Sequence, residues 1–126
     1  MAFSSADRAD LLALLGPERA FFEVETRALY ETDETPRACL PEAVLFPGRP
    51  RGCGGHRPPR QSPRLPLVAR GAGSGNLGGA LPVPGGVVVS FECMNRVLEF
   101  DPANRLWWCS PAWSPTTSTP WPPAPA

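Results

Sequence analysis

The sequence predicts an α+β fold, and three observations carry the prediction. One segment near the N-terminus can be capped and has a leucine-rich face, as a helix requires. Four short apolar runs rich in Val, Leu and Phe have strand character, and Gly, Pro, Asn and Asp punctuate the chain between them. No helix-forming segment comes after the glycine-rich stretch behind the second run, where a Rossmann unit would have one.

Taken in order, Ser4 or Ser5 can cap a helix over 7–15, with Leu11, Leu12, Leu14 and Leu15 as its apolar face and Gly16-Pro17 as its stop. Residues 18–37 are acidic and mixed, and are expected to be loop, including Tyr30 and Asp33. Ala43-Val44-Leu45-Phe46-Pro47 reads as the first strand, Leu65-Pro66-Leu67-Val68-Ala69 as a buried second, and Val87-Val88-Val89-Ser90-Phe91 as a third. The turn signal Pro84-Gly85-Gly86 introduces the third. A fourth spans 97–100, closed by Asp101-Pro102-Ala103-Asn104 and pairing with the residues after Arg105. Glu92, Glu99 and Asp101 alternate with apolar residues and are expected on the solvent face.

Chemistry concentrates behind the second strand. Arg70, Gly71, Ala72, Gly73, Ser74, Gly75, Asn76, Leu77, Gly78 and Gly79 form a glycine-rich loop. Glycine permits positive φ and has no Cβ, so consecutive N–H groups can converge on an anion and the backbone can touch a diphosphate. A flexible linker would have the same composition. The spacing of Gly73, Gly75 and Gly78 fits a Rossmann fingerprint only loosely, because no helix-forming segment comes next and Pro82, Pro84 and Gly85-Gly86 interrupt. With no lysine in the chain, a Walker loop is excluded.

Composition narrows the rest. The 126 residues give length for one small domain, but 12 are Gly and 18 are Pro, a share that borders on low complexity. The formal charge is zero, which removes a global electrostatic case for nucleic acid or anionic membrane as partner. The basic run Arg49, Arg51, Arg57, Arg60, Arg64, Arg70 resembles an arginine-rich RNA segment, yet it lacks interleaved aromatics. The apolar stretches are too short to span a membrane and the N-terminus has no signal-peptide pattern, so a cytoplasmic location is expected. Cys39, Cys53, Cys93 and Cys109 are widely spaced and are expected as unpaired thiols. Cys53 and His56 form a lone close pair without two further ligands, so no metal site is expected, and His56 has no placed partner for base catalysis.

Two tracts stand apart. Residues 48–63 hold Arg, Pro and Gly without either periodicity, and 107–126 place all four tryptophans among prolines, serines and threonines. Proline blocks both helix and central strand, so the two read as a disordered Arg/Pro/Gly insert and a disordered Pro/Trp-rich tail. The chain thus divides into 1–47 (helix, loop, first strand), 48–63, 64–106 (the glycine-loop region) and 107–126.

An ordered set of motifs runs through the regular parts: Tyr30-Glu-Thr-Asp33, Pro41-Glu-Ala-Val-Leu-Phe-Pro47, Leu65-Pro-Leu-Val-Ala-Arg-Gly-Ala-Gly-Ser-Gly75, Gly78-Gly-Ala-Leu-Pro82, Gly85-Gly-Val-Val-Val89, Met94-Asn-Arg-Val-Leu98 and Asp101. In order and spacing over most of 10–106 this resembles the N-terminal part of FAD-linked oxidases with a vanillyl-alcohol-oxidase/p-cresol-methylhydroxylase (PCMH) type FAD domain. Within these it is most like the glycolate oxidase and D-lactate dehydrogenase group. The resemblance implies a partial first subdomain of that FAD-binding domain, FAD as cofactor, and an oxidoreductase of 2-hydroxy acids as the parent activity. It implies that the amides of Gly71, Ala72, Gly73, Ser74 and Gly75 hold the FAD diphosphate, with the Ser74 hydroxyl as a further donor. Arg70, Asn76, Gly78 and Gly79 complete the candidate cofactor contacts, although Asn76-Leu77 departs from the commoner Leu-Ser or Leu-Thr. The substrate domain and its catalytic groups have no counterpart in these residues, so no catalytic residue is assigned. Partner subunits are expected of intact relatives only.

The two odd tracts depart from the family, which has an amphipathic helix in place of the first and a strand in place of the second. Both are what a GC-rich gene yields out of frame. The codons of Trp107 and Trp108 read from their last bases force Val-Val, and a shift the other way across 53–63 permits an alanine-rich helix. A frameshifted, truncated FAD-binding fragment without independent activity is therefore expected. The competing reading is a small Pro-rich interaction protein whose tail serves aromatic-grooved partners.

Overall fold

The computed structural model describes residues 3–49 and 65–113. The chain order is α1 (Ser5–Leu15), β1 (Ala20–Phe21), α2 (Val24–Ala28), β2 (Ala43–Leu45), β3 (Leu67–Arg70), β4 (Val87–Ser90), β5 (Val97–Asp101) and β6 (Leu106–Cys109). The fold is α+β, and two sheets form, one of four strands in the order β1-β2-β4-β3 and a β5-β6 hairpin. Strand β4 is central and parallel to both neighbours, pairing Ala43, Val44 and Leu45 with Val87, Val88 and Val89 on one side and Leu67 to Arg70 with Val87 to Ser90 on the other. Strand β1 closes the sheet antiparallel to β2.

Helix α1 begins where the sequence puts a cap. The Ser4 side chain accepts from the Asp7 N–H and the Asp7 carboxylate accepts from the Ser4 N–H, a reciprocal capping box. Gly16 ends it at φ 86°, a conformation glycine adopts without steric cost.

The sheet has two covered faces, because side chains alternate along each strand. On one face Ala43, Leu45, Val87 and Val89 pack with Ala20 and with Leu11 of α1, bordered by Leu12, Leu15, Phe3 and Phe22. On the other, Val44 and Val88 meet Tyr30 and Phe46, whose rings stand edge-on with centroids 5.6 Å apart. Strands β2 and β4 are buried on both sides, as an apolar run in a parallel sheet should be.

Three expectations need correction. The run 65–69 is not a buried strand: β3 lies at the sheet edge with alternating exposure, and Leu67 is exposed, because only β4 flanks it. The stretch 18–37 is not all loop, since it contains β1 and α2. Residues 107–109 are not tail, since β6 pairs antiparallel with β5, Asp101 opposite Leu106 and Phe100 opposite Trp107. The hairpin turns at 101–104, where Asp101 accepts from the Asn104 N–H and side-chain amide at 3.1 and 2.7 Å. Trp107 lies 4.6 Å from Phe100 and 5.5 Å from Trp113, centroid to centroid. Most of the 48–63 tract, including Cys53 and His56, and residues 114–126 lie outside the described residues. No helix among the described residues is long and apolar enough to cross a membrane.

Candidate functional site

The glycine loop leaves the C-terminal end of β3, beside the C-terminal ends of the parallel strands β2 and β4, the edge at which open α/β sheets take ligands. Strand β3 is held to β4 up to the start of the loop, where the Phe91 N–H donates to the Arg70 carbonyl at 2.9 Å. Beyond that point the ladder stops. From Gly71 to Gly79 no backbone N–H has a hydrogen-bond acceptor among the described residues, while the carbonyls of Gly75 and Gly78 accept from Glu34 and Leu81. The loop therefore uses its acceptors internally and keeps its donors for something else.

Its glycines divide into two kinds. At Gly71, Gly75, Gly78 and Gly79 an added Cβ would meet nothing within 4 Å, so these positions border open space that a side chain would fill. Gly73 and Gly78 have φ of 74° and 80°, where an L-residue is strained. At Gly73 a Cβ would also collide with the Arg70 guanidinium. Unpaired donors, absent side chains and left-handed turns together fit a diphosphate, whose oxygens accept several N–H bonds and need close backbone approach. Ser74 and Asn76 are exposed, and neither side chain is engaged within the described residues. Leu77, at 95% exposure, has no packing role.

A second segment forms the loop's wall. Arg70 stacks its guanidinium carbon 5.4 Å from the centre of the Tyr30 ring and donates to the Thr32 carbonyl. The Tyr30 hydroxyl donates to Glu92 Oε1 at 2.7 Å, and the Ser90 hydroxyl donates to the same oxygen at 3.0 Å. Burial, and then the bond to Glu92 and its charge, push the Tyr30 phenol well above its ordinary value of 10.0. Glu92 is exposed, as the alternation argument expects, and from there it accepts both of these bonds. Asp33 turns the segment by accepting from the Thr35 hydroxyl and N–H, which hold its carboxyl below the usual range. The sequence motifs include Tyr30 and Asp33 but give no sign of Glu92 as their structural partner. The Tyr30–Glu92 pair spans 62 residues, and no local pattern signals it.

A cavity of about 430 Å³ lies elsewhere, between the end of β4 and the hairpin, lined by Phe91, Cys93, Met94, Leu98 and Cys109 among others. None of the loop residues borders it. Cys39, Cys93 and Cys109 are free thiols, and the described residues hold no cluster of three metal-ligating side chains.

Comparison with known proteins gives the same picture. A family model described as an FAD binding domain matches residues 61–113. The glycolate oxidase subunit GlcD of Bacillus subtilis (strain 168) is 33% identical over 98 residues, 77% of this chain and 21% of that protein. An FAD-linked oxidoreductase of Mycobacterium tuberculosis (strain ATCC 25618 / H37Rv) is 52% identical over 42 residues, 33% of this chain and 9% of that one. Among solved structures, p-cresol methylhydroxylase with substrate bound superposes with a TM-score of 0.63 at 20% identity, covering 81% of this chain and 21% of its own. An alkyldihydroxyacetonephosphate synthase gives 0.61 at 15% identity, covering 79% and 21%. The chain thus spans about a fifth or less of the proteins it matches. Over that span residues 61–113 match an FAD binding domain, the chain is a homologue of part of the glycolate oxidase subunit GlcD, and its fold is like that of the corresponding part of p-cresol methylhydroxylase.

Proposed function

We propose that the loop from Gly71 to Gly75 binds the diphosphate of FAD through its backbone N–H groups, with the Ser74 hydroxyl as an additional donor. The observation that carries this reading is the run of N–H groups from Gly71 to Gly79 without an internal acceptor, on a loop whose glycines leave the approach open. Asn76, Gly78 and Gly79 line the same cradle, and Arg70 stands at its start. The parent activity is an FAD-linked oxidation of a 2-hydroxy acid, by likeness to the glycolate oxidase subunit.

These 126 residues alone bind FAD weakly and do not turn over a hydroxy acid. A fifth of a relative's length supplies one side of the dinucleotide site and no wall for the flavin ring, whereas hydride transfer demands reacting atoms in close, oriented contact. The Arg/Pro/Gly and Trp/Pro tracts result from changes of reading frame at about 48–63 and after 106, and the gene read in all three frames tests that. If no long frame encoding the remaining subdomain opens downstream, this origin is wrong. Flavin fluorescence quenching tests the binding. FAD and ADP should compete for one site, while riboflavin, which lacks the diphosphate, should not bind. Equal binding of riboflavin and FAD would remove the loop from the account.

A further inference from the structure

We propose that Arg70 is a positioning residue for the glycine loop: its guanidinium latches the loop to residues 30–34 and holds the N–H groups outward, and does not itself contact phosphate. The inference rests on the diphosphate reading of the loop and adds the device that orders it.

Parallel register puts Arg70 opposite Ser90 and on the same face as Val88, the face that Tyr30 covers. Its side chain is therefore delivered to Tyr30 by the strand itself. There it does three things at once: it donates to the Thr32 carbonyl, stacks on the Tyr30 ring, and occupies the space that a Cβ of residue 73 would take. The third is possible only because residue 73 has no Cβ. A parallel tie from the Glu34 N–H to the Gly75 carbonyl, at 3.3 Å, fixes the loop two residues further on. Tyr30 is anchored in turn: it is buried, and its hydroxyl donates to Glu92, which also accepts from Ser90 in the fully buried part of β4. A continuous chain of contacts runs from the sheet core through Glu92, Tyr30 and Arg70 to the loop.

This arrangement solves a physical problem. Five of the nine loop residues are glycine, which lose more conformational freedom on ordering than any other residue. A ligand that had to order such a loop would bind with that cost subtracted. Arg70 imposes the order beforehand. Its cationic head already has a carbonyl acceptor and an aromatic face.

The test uses the full chain with four sequences: wild type, R70M, Y30L and the double variant. Amide spectra of the ligand-free protein should show dispersed Gly71, Gly73 and Gly75 signals in wild type. In R70M and in Y30L they should collapse to random-coil positions, while the amides of Val87, Val88 and Val89 stay in place. FAD affinity should fall about tenfold in each single variant, and the double variant should be no weaker than the worse single, since both cut one latch. Unchanged glycine shifts in R70M would overturn the proposal. So would full FAD affinity in Y30L beside a loss in R70M, the pattern of a direct phosphate contact. If R70M also displaces the β4 amides, R70K keeps the aliphatic stem and a donor for Thr32. Retained glycine dispersion in R70K then supports the latch, and collapse with that donor present refutes it. Collapse of the shifts in a chain whose wild type takes up no FAD would support the latch and reject the diphosphate reading.

Discussion

Gly73 and Gly75 differ in what an added methyl group would meet, and the difference separates loop stability from ligand binding. At Gly73 the φ of 74° and the adjoining Arg70 guanidinium both oppose a side chain. Gly73→Ala should cost about 1–2 kcal/mol from backbone conformation alone, read as a lower thermal midpoint, and should abolish FAD binding with it. Gly75 borders open space and has no left-handed φ. Gly75→Ala should therefore melt within about 0.5 kcal/mol of wild type yet still weaken FAD, because its methyl enters the cradle. Tyr30 offers a third readout, since it is the chain's one tyrosine and its phenolate absorbance reports it alone. Burial and Glu92 keep the phenol neutral in the folded state, so its contribution to stability is complete below pH 10.0 and is lost as pH rises beyond that value. Phenolate should appear only above the ordinary midpoint and together with loss of structure; ionisation at pH 10.0 in a folded chain would contradict the burial. The loop residues and Tyr30 were legible because each is chemically distinctive. The role of Glu92 was not, because its exposed, alternating position carries no local sign of the distant tyrosine that donates to it.

At the level of elements, the capping box makes α1 the most directly testable. Ser4→Ala should cost about 1 kcal/mol by thermal denaturation, and a change near zero would mean that α1 is held by Leu11 packing alone. Helix α1 and strands β2 and β4 were readable because caps, glycine stops and unbroken apolar runs are local signals. Strand β1 has two residues and helix α2 five, with no side-chain cap, so neither is long enough to display a period. Strand β6 was hidden by its tryptophans and by the prolines that come after it. Tryptophan is nonetheless as good a strand former as valine, so Trp107-Trp108 pairs with β5 as the Val-Val of the alternative frame would. Replacing both tryptophans by valine should keep the cross-strand contacts between β5 and β6. It should also remove about 1 kcal/mol with the stacks on Phe100 and Trp113. Loss of the cross-strand contacts would show that the rings, and not strand propensity, hold the hairpin.

For the molecule as a whole, α1 and Tyr30 cover the two faces of a small mixed sheet whose parallel strands end at one edge, where the glycine loop opens. The edge position of β3 was invisible in the sequence, because an apolar run reads the same at an edge as in a centre. What places it there is the return of the chain to insert β4 between β2 and β3. The loop's N–H groups have no acceptor among the described residues, as the proposed diphosphate site requires, but the matched span supplies only about a fifth of a relative's length. Titration of the purified chain with FAD, read by flavin fluorescence, tests this balance most directly. Saturable, diphosphate-dependent quenching with a Kd no tighter than about 100 µM, roughly 5.5 kcal/mol, is the expected result. Tight stoichiometric uptake of FAD, or turnover of a 2-hydroxy acid by the isolated chain, would contradict it.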